Sequence, residues 1–354
     1  MDPIEKQLDH ASALRASSKF AEAAKVYEGL LLKKGLGEMR RAEAHQNAGD
    51  CLRLQGDFTG AKRHARAAAR LFQKLASPRL VDARVSLALA LRASGDPQSA
   101  VGLLRMALAF YEDDGDEDGI VFAHWALGGT LRIAGDLRGG WKHLSKAAKL
   151  YASMGDREGL AYTHCALGGL ARMLGRYDES FRHYRAANHL HRLRHDAFGT
   201  AYSYCGLGNV ERMKGRMEGA LAYFHKAEKL YKRIGDKVSY AYTRWSMGMA
   251  RKGEGDLWGA LAHFDAADAL FKSTGDLRGR SYAALGRAEL LWMAGKDGEA
   301  ERKKAEQYAK TGGYAWELLH AKVMRGGAAA PWAKRLYAAF GSRFFPKGVP
   351  VNWP

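Results

Sequence analysis

The chain copies itself at a fixed offset of 40 residues, most plainly where HWALGGTLRIAGDLRGGWKHLSKAAKLYASMGD is followed by HCALGGLARMLGRYDESFRHYRAANHLHRLRHD and then by YCGLGNVERMKGRMEGALAYFHKAEKLYKRIGD. Self-similarity at this period means that one small unit is stacked many times, and that each unit buries its apolar face only against its neighbours. Apolar and small residues recur at intervals of three and four, and Gly135, Gly175, Gly215 and Gly255 terminate the first segment of successive units. Each unit therefore reads as two amphipathic helices folded back on each other. Between units, Gly155-Asp156, Gly235-Asp236 and Gly275-Asp276 read as a glycine that ends one helix and an aspartate that caps the next, which leaves no reason to assign them to phosphate or calcium. Gly128, Gly168, Gly208 and Gly248 fall inside the first helix. Glycine there costs about 1 kcal/mol of helix propensity, so close approach of the second helix, whose own small positions are Ala147, Ala187, Ala227 and Ala267, is the expected compensation.

Leu127, Gly128, Leu144 and Ala147 in one unit, and Leu207, Gly208, Ala220, Phe224 and Ala227 in another, match the leucine, glycine, aromatic and alanine positions of the tetratricopeptide repeat, which the arrangement resembles. The longer unit is similar to the 40-residue variety of the LGN, Pins and rapsyn adaptors and of bacterial regulatory solenoids. The resemblance implies an all-α fold, a right-handed superhelical solenoid of about eight antiparallel helix pairs over residues 4–312, with an aromatic and basic capping or docking segment over 313–354. Departures gather at the ends. The first two units are shorter, Ala65 stands at an aromatic position, and Arg287 and Lys304 occupy apolar positions of the eighth unit, as expected of terminal caps.

A positive residue returns at the same place in each unit, as Arg15, Arg53, Arg92, Arg132, Arg172, Arg212 and Lys252. Arg132, Arg172 and Arg212 each lie seven residues after Trp125, Cys165 and Cys205, two turns along one face of the first helix, and the resemblance implies that this face lines a concave groove. The same groove is expected to show Phe122, Tyr162, Tyr202, Tyr242 and Tyr282 near one rim, Trp125 and Trp245 deeper, and Asn209 beside Cys205. With first helices about 10 Å apart, successive cations meet groups spaced every few residues along an extended chain. The partner expected on these grounds is an acidic peptide or protein segment held by Arg53, Arg92, Arg132, Arg172, Arg212 and Lys252, with Tyr162, Tyr202, Tyr242, Trp125, Trp245 and Asn209 supplying the remaining contacts.

Two other readings stay open at this level. Arginine stems also cover aromatic rings and pair with neighbours such as Glu211 and Glu254, and a tyrosine column also packs against the next unit. A basic, aromatic groove also suits nucleic acid, phosphates on the cations and bases on the rings. The formal charge of +18 favours an anionic partner without choosing among them.

The same composition excludes much. No nucleophile, base and orienting acid come together in the pattern, and no glycine loop follows a strand, so neither catalysis nor a cofactor is expected. The three cysteines, Cys51, Cys165 and Cys205, and the scattered histidines lack metal-ligand spacing, and an odd number of thiols fits a cytoplasmic protein. The aromatic tail, with Trp332, Tyr337, Phe340, Phe344, Phe345 and Trp353, is expected either to cover the last helix pair or to dock in the groove. It is broken by Pro346 and Pro350, which argues against a membrane anchor, while self-association stays open.

Overall fold

The computed structural model describes residues 3–17 and 19–354. First and second helices alternate: α1 Pro3–Ala16, α2 Phe20–Leu31, α3 Glu38–Gln55, α4 Phe58–Lys74, α5 Leu80–Ala93, α6 Pro97–Asp114, α7 Glu117–Ala134, α8 Leu137–Ser153, α9 Arg157–Met173 and α10 Tyr177–Leu193. They continue as α11 Ala197–Met213, α12 Met217–Ile234, α13 Lys237–Gly253, α14 Leu257–Thr274, α15 Leu277–Met293 and α16 Glu299–Thr311. A shorter α17, Ala315–Val323, leads into a two-stranded hairpin, β1 Met324–Arg325 with β2 Ala328–Ala329, then α18 Ala333–Ala339 and an extended tail.

Boundaries follow from local chemistry. Asp116, Asp136, Asp156, Asp196, Asp236, Asp256 and Asp276 cap α7, α8, α9, α11, α13, α14 and α15, each accepting a hydrogen bond from the backbone N–H three residues on. Gly135 and Gly255 turn the chain between the two helices of a unit at φ 96° and 83°, in the left-handed region. Inside the first helices, a Cβ on Gly208 would fall 2.5 Å from the Phe224 ring and 3.0 Å from the Ala220 carbonyl, which is why that column holds glycine. The residue facing it is the bulky member of the second helix, Leu144, Tyr184, Phe224 or Phe264. The buried alanines Ala147, Ala187, Ala227 and Ala267 sit one turn further on.

Arg287, at an apolar position of the eighth unit, is held instead by Asp265, Asp268 and Glu301 on the surface. The superhelix is tight enough for late units to rest on early ones. Val238 and Thr274 lie over Gly56, Tyr314 over Gly95, Phe340 over Gly135 and Arg343 over Gly175, while the Phe20 and Phe198 rings meet edge to face at 6.3 Å. Tyr337 and Trp353 are buried, whereas Trp332, Arg343 and Lys347 remain exposed.

Histidines face each other across three helix pairs, with Nδ1–Nδ1 distances of 3.1 Å for His45 and His64, 2.8 Å for His124 and His143, and 3.0 Å for His164 and His183. One ring donates and the other accepts, so a doubly protonated pair has two donors and no acceptor. Burial, with neighbouring positive groups, pulls His45, His124 and His164 down to about 4, and lowers His64, His143 and His183. Glu28, 3.6 Å from His64, works in the opposite direction there. An unfolded histidine titrates near 6.5. Between that pH and about 4 the unfolded chain therefore binds more protons than the folded one, and stability is complete above the window and declines as pH falls through it. The Tm is expected to drop from pH 6.5 to 5, with a shallower slope in a His124→Gln, His164→Gln variant, measured by circular dichroism.

Candidate functional site

The ladder cations lie near the C-terminal ends of the first helices α1, α3, α5, α7, α9, α11 and α13, and four of them, Arg53, Arg92, Arg132 and Arg172, line one half-open cavity of about 340 Å³. Each reaches toward the next unit. A Cβ on Gly129 would lie 3.0 Å from Arg92 Nη1, and one on Gly169 would lie 3.7 Å from Arg132 Nη1, so small residues three positions before the following rung make the seat for the previous one. The opposite wall carries Tyr202, Tyr231, Tyr242, Trp245, Tyr282 and Tyr314.

Charge in this cavity is unbalanced. Arg53 has Asp50 at 3.9 Å, but Arg92, Arg132 and Arg172 have no carboxylate within ion-pair distance among the described residues. The Nε atoms of Arg132 and Arg172 are buried without a hydrogen-bond partner. Burial, Arg53 and Arg132 together hold the Arg92 guanidinium down to about 9, so its charge is carried at a cost. On the other wall Arg278 is paired, 2.6 Å from Glu317, and Asp236 and Asp276 are committed to capping α13 and α15. Replacing Arg92 by methionine is expected to raise stability by about 1–2 kcal/mol, because an uncompensated cation gives way to apolar volume; urea unfolding measures it.

The remaining rungs differ in kind. Arg212 and Lys252 are buried and bonded within the chain, although the Arg212 Nε, like those of Arg132 and Arg172, has no hydrogen-bond partner among the described residues. Arg212 donates to Asn352 Oδ1, to Asn209 Oδ1 at 3.1 Å and to the Trp353 carbonyl at 2.8 Å. Lys252 lies 2.5 Å from Glu289 Oε2 and donates to the Val351 carbonyl at 2.8 Å. The N-terminal rung Arg15 donates to Asn47 Oδ1.

Tyr162 and Trp125 do not line the cavity. The Tyr162 hydroxyl donates to Asp196 at 2.8 Å and its ring packs on His191, whereas Trp125 lies beside Phe122 with the Arg92 guanidinium 6.0 Å from its ring. Tyr202, Tyr242, Trp245 and Asn209 do line it; Tyr242 also packs on Phe271, and Trp245 donates to the Tyr282 carbonyl. Burial raises the Cys165 and Cys205 thiols, which favours their protonated form.

Sequence reasoning missed Glu289, Val351 and Asn352, and named Trp353 only as one aromatic of a capping or docking tail. Fully buried, Glu289 accepts from Lys252, from the Val351 N–H at 2.8 Å and from the Trp353 indole. A signal existed: Glu289 occupies the column that reads Gly129, Gly169, Asn209 and Met249 in the preceding units, a carboxylate where no other of these has one.

A family model described as tetratricopeptide repeat matches residues 40–113, and the stacked helix pairs extend that pattern along the rest of the chain. The fold is a tetratricopeptide-like solenoid. Solved solenoids match over most of its length at low identity. A Rap protein complexed with competence and sporulation factor is 12% identical with a TM-score of 0.65, over 96% of this chain and 100% of that one. The Rap conjugation gene regulator of plasmid pLS20, in complex with the Phr* peptide, is 13% identical with a TM-score of 0.62, over 91% and 98%. A STAND protein with a tetratricopeptide repeat sensor from Pyrococcus horikoshii is 14% identical with a TM-score of 0.53, over 84% and 49%. No curated protein matches the chain in sequence. Among the described residues, no helix of this solenoid is long and apolar enough to cross a membrane, and no three His, Cys, Asp or Glu side chains converge to hold a metal.

Proposed function

We propose that this solenoid is a non-catalytic interaction protein that takes a short acidic stretch of an extended peptide or protein segment into its channel. The observation that carries the reading is the set of three guanidiniums, Arg92, Arg132 and Arg172, facing one cavity without a carboxylate partner among the described residues. Carboxylates there would make charge-assisted hydrogen bonds, roughly twice as strong as neutral ones, in a partly dehydrated space. A volume of about 340 Å³ sits at the low end of ligand sites, which restricts the inserted part to a few residues while the rest of the partner stays outside. The Rap structures hold a factor and a peptide, respectively, and support a regulatory solenoid over an adaptor of the LGN, Pins or rapsyn type.

Nucleic acid fits this channel less well. Single strands are held on basic grooves several nucleotides long, and a cavity of about 340 Å³ has room for only a few residues. Isothermal titration of the full chain with tetraglutamate, beside tetraserine and a tetranucleotide, tests the reading. Saturable binding of tetraglutamate alone is expected, and equal or tighter binding of the tetranucleotide would overturn it.

A further inference from the structure

The extended tail is held by groups from four successive first-type helices: Arg212 on α11, Lys252 on α13, Glu289 on α15 and His320 on α17. The Val351 N–H donates to Glu289 and its carbonyl accepts from Lys252, both at 2.8 Å, while its side chain is buried in the apolar cluster that holds Trp316 and Trp353. Asn352 makes a two-way pair with Arg212, accepting from the guanidinium and donating to the Arg212 carbonyl at 2.8 Å. Trp353 fills an aromatic seat, 4.2 Å from the His320 ring centroid and beside Phe344, and Pro354 reaches the cavity lined by Arg172. Backbone hydrogen bonds combined with a pocketed side chain are one recurring way in which extended peptides are bound.

We propose that residues 351–353 are a tethered stand-in ligand, exchanged when an acidic segment enters the channel. The inference rests on the function proposed above and adds its regulation. Two observations carry it. First, Lys252 has a counter-charge in Glu289, but every acceptor on the fully buried Arg212 is neutral, being two asparagine oxygens and a carbonyl. A carboxylate reaching Arg212 gains a charge-assisted pair that the tail does not supply. Second, Pro354 and the free rungs bound the same cavity, so a ligand spanning Arg172 and Arg212 collides with the tail. Occupancy by the tail then multiplies the apparent affinity by the fraction of chains in which it has left, and ligand binding and tail seating oppose each other reciprocally.

The test uses the full chain, wild type and Asn352→Ala, with tetraglutamate as probe, and reads affinity by titration and tail protection by hydrogen–deuterium exchange. Asn352 is partly exposed, so its replacement leaves the Val351 and Trp353 seats in place. At least tenfold tighter binding by the variant is expected. Saturating probe should also speed exchange of the wild-type Val351 amide while amides within α15 stay protected. If probe binds both proteins equally and Val351 stays protected, the tail is a fixed plug and the exchange is overturned, with the acidic-ligand reading intact. If probe binds neither, both proposals fall. Should the variant not fold, exchange in the wild type decides alone.

Discussion

Glu289→Ala is expected to lower unfolding free energy by about 3–5 kcal/mol, because it strands a buried cation. Glu289 answers three donors at once: the Lys252 ammonium, the Val351 N–H and the Trp353 indole. Lys252 is 1% exposed, and burial already pulls its pKa below the usual value against the attraction of Glu289. Without the carboxylate it is left with the Val351 carbonyl, and the tail loses two of its anchors. Adding Lys252→Met should restore much of the loss, since removing both charges is far less costly than removing one. Chemical denaturation of the two single variants and the double variant gives the coupling directly. A loss for Glu289→Ala below about 1 kcal/mol would mean that water reaches the Lys252 ammonium.

Arg132→Gln together with Arg172→Gln should weaken tetraglutamate binding about 100-fold, reading each lost charge-assisted hydrogen bond at about 1.5–3 kcal/mol and allowing for non-additivity. Stability should stay level or rise, because neither guanidinium has a carboxylate partner among the described residues to strand. That contrast separates the two halves of the ladder. Arg212→Gln removes hydrogen bonds to Asn209, Asn352 and Trp353 and should cost stability as well as binding. Moderate salt should weaken binding only partly, since charges inside a cavity are screened less than those on a surface. If the double variant unfolds early while binding normally, Arg132 and Arg172 belong to the scaffold.

Periodicity made the architecture legible. A unit written seven times carries its own alignment, and the glycines and aspartates at the turns name the helix ends before any coordinate is known. The ladder was legible as a column for the same reason. Its division into free and committed rungs was not, because it depends on residues far away in the chain. Arg212 and Arg172 stand in equivalent positions 40 residues apart, and only the return of Asn352 and Trp353 makes them different. Likewise Tyr162 and Tyr202 share a column, yet the former donates to Asp196 while the latter faces the cavity. A repeat pattern predicts what each unit has in common, and the site is built from what the units do not share.

The seating of late units on early ones bears on how the molecule comes apart. An open array of repeats loses its ends first, because each unit touches only its neighbours and the terminal ones have a single partner. Here Gly56 meets Val238 and Thr274, Gly95 meets Tyr314 and Phe20 meets Phe198, so the array is joined into a ring by contacts between residues distant in sequence. Only α1, which packs mainly on α2, keeps the character of a free end, and the units after it are tied together. Unfolding is expected as one sharp transition rather than a broad, stepwise melt, and refolding as slow for an all-helical chain, since loops spanning much of its length must close before the ring is complete.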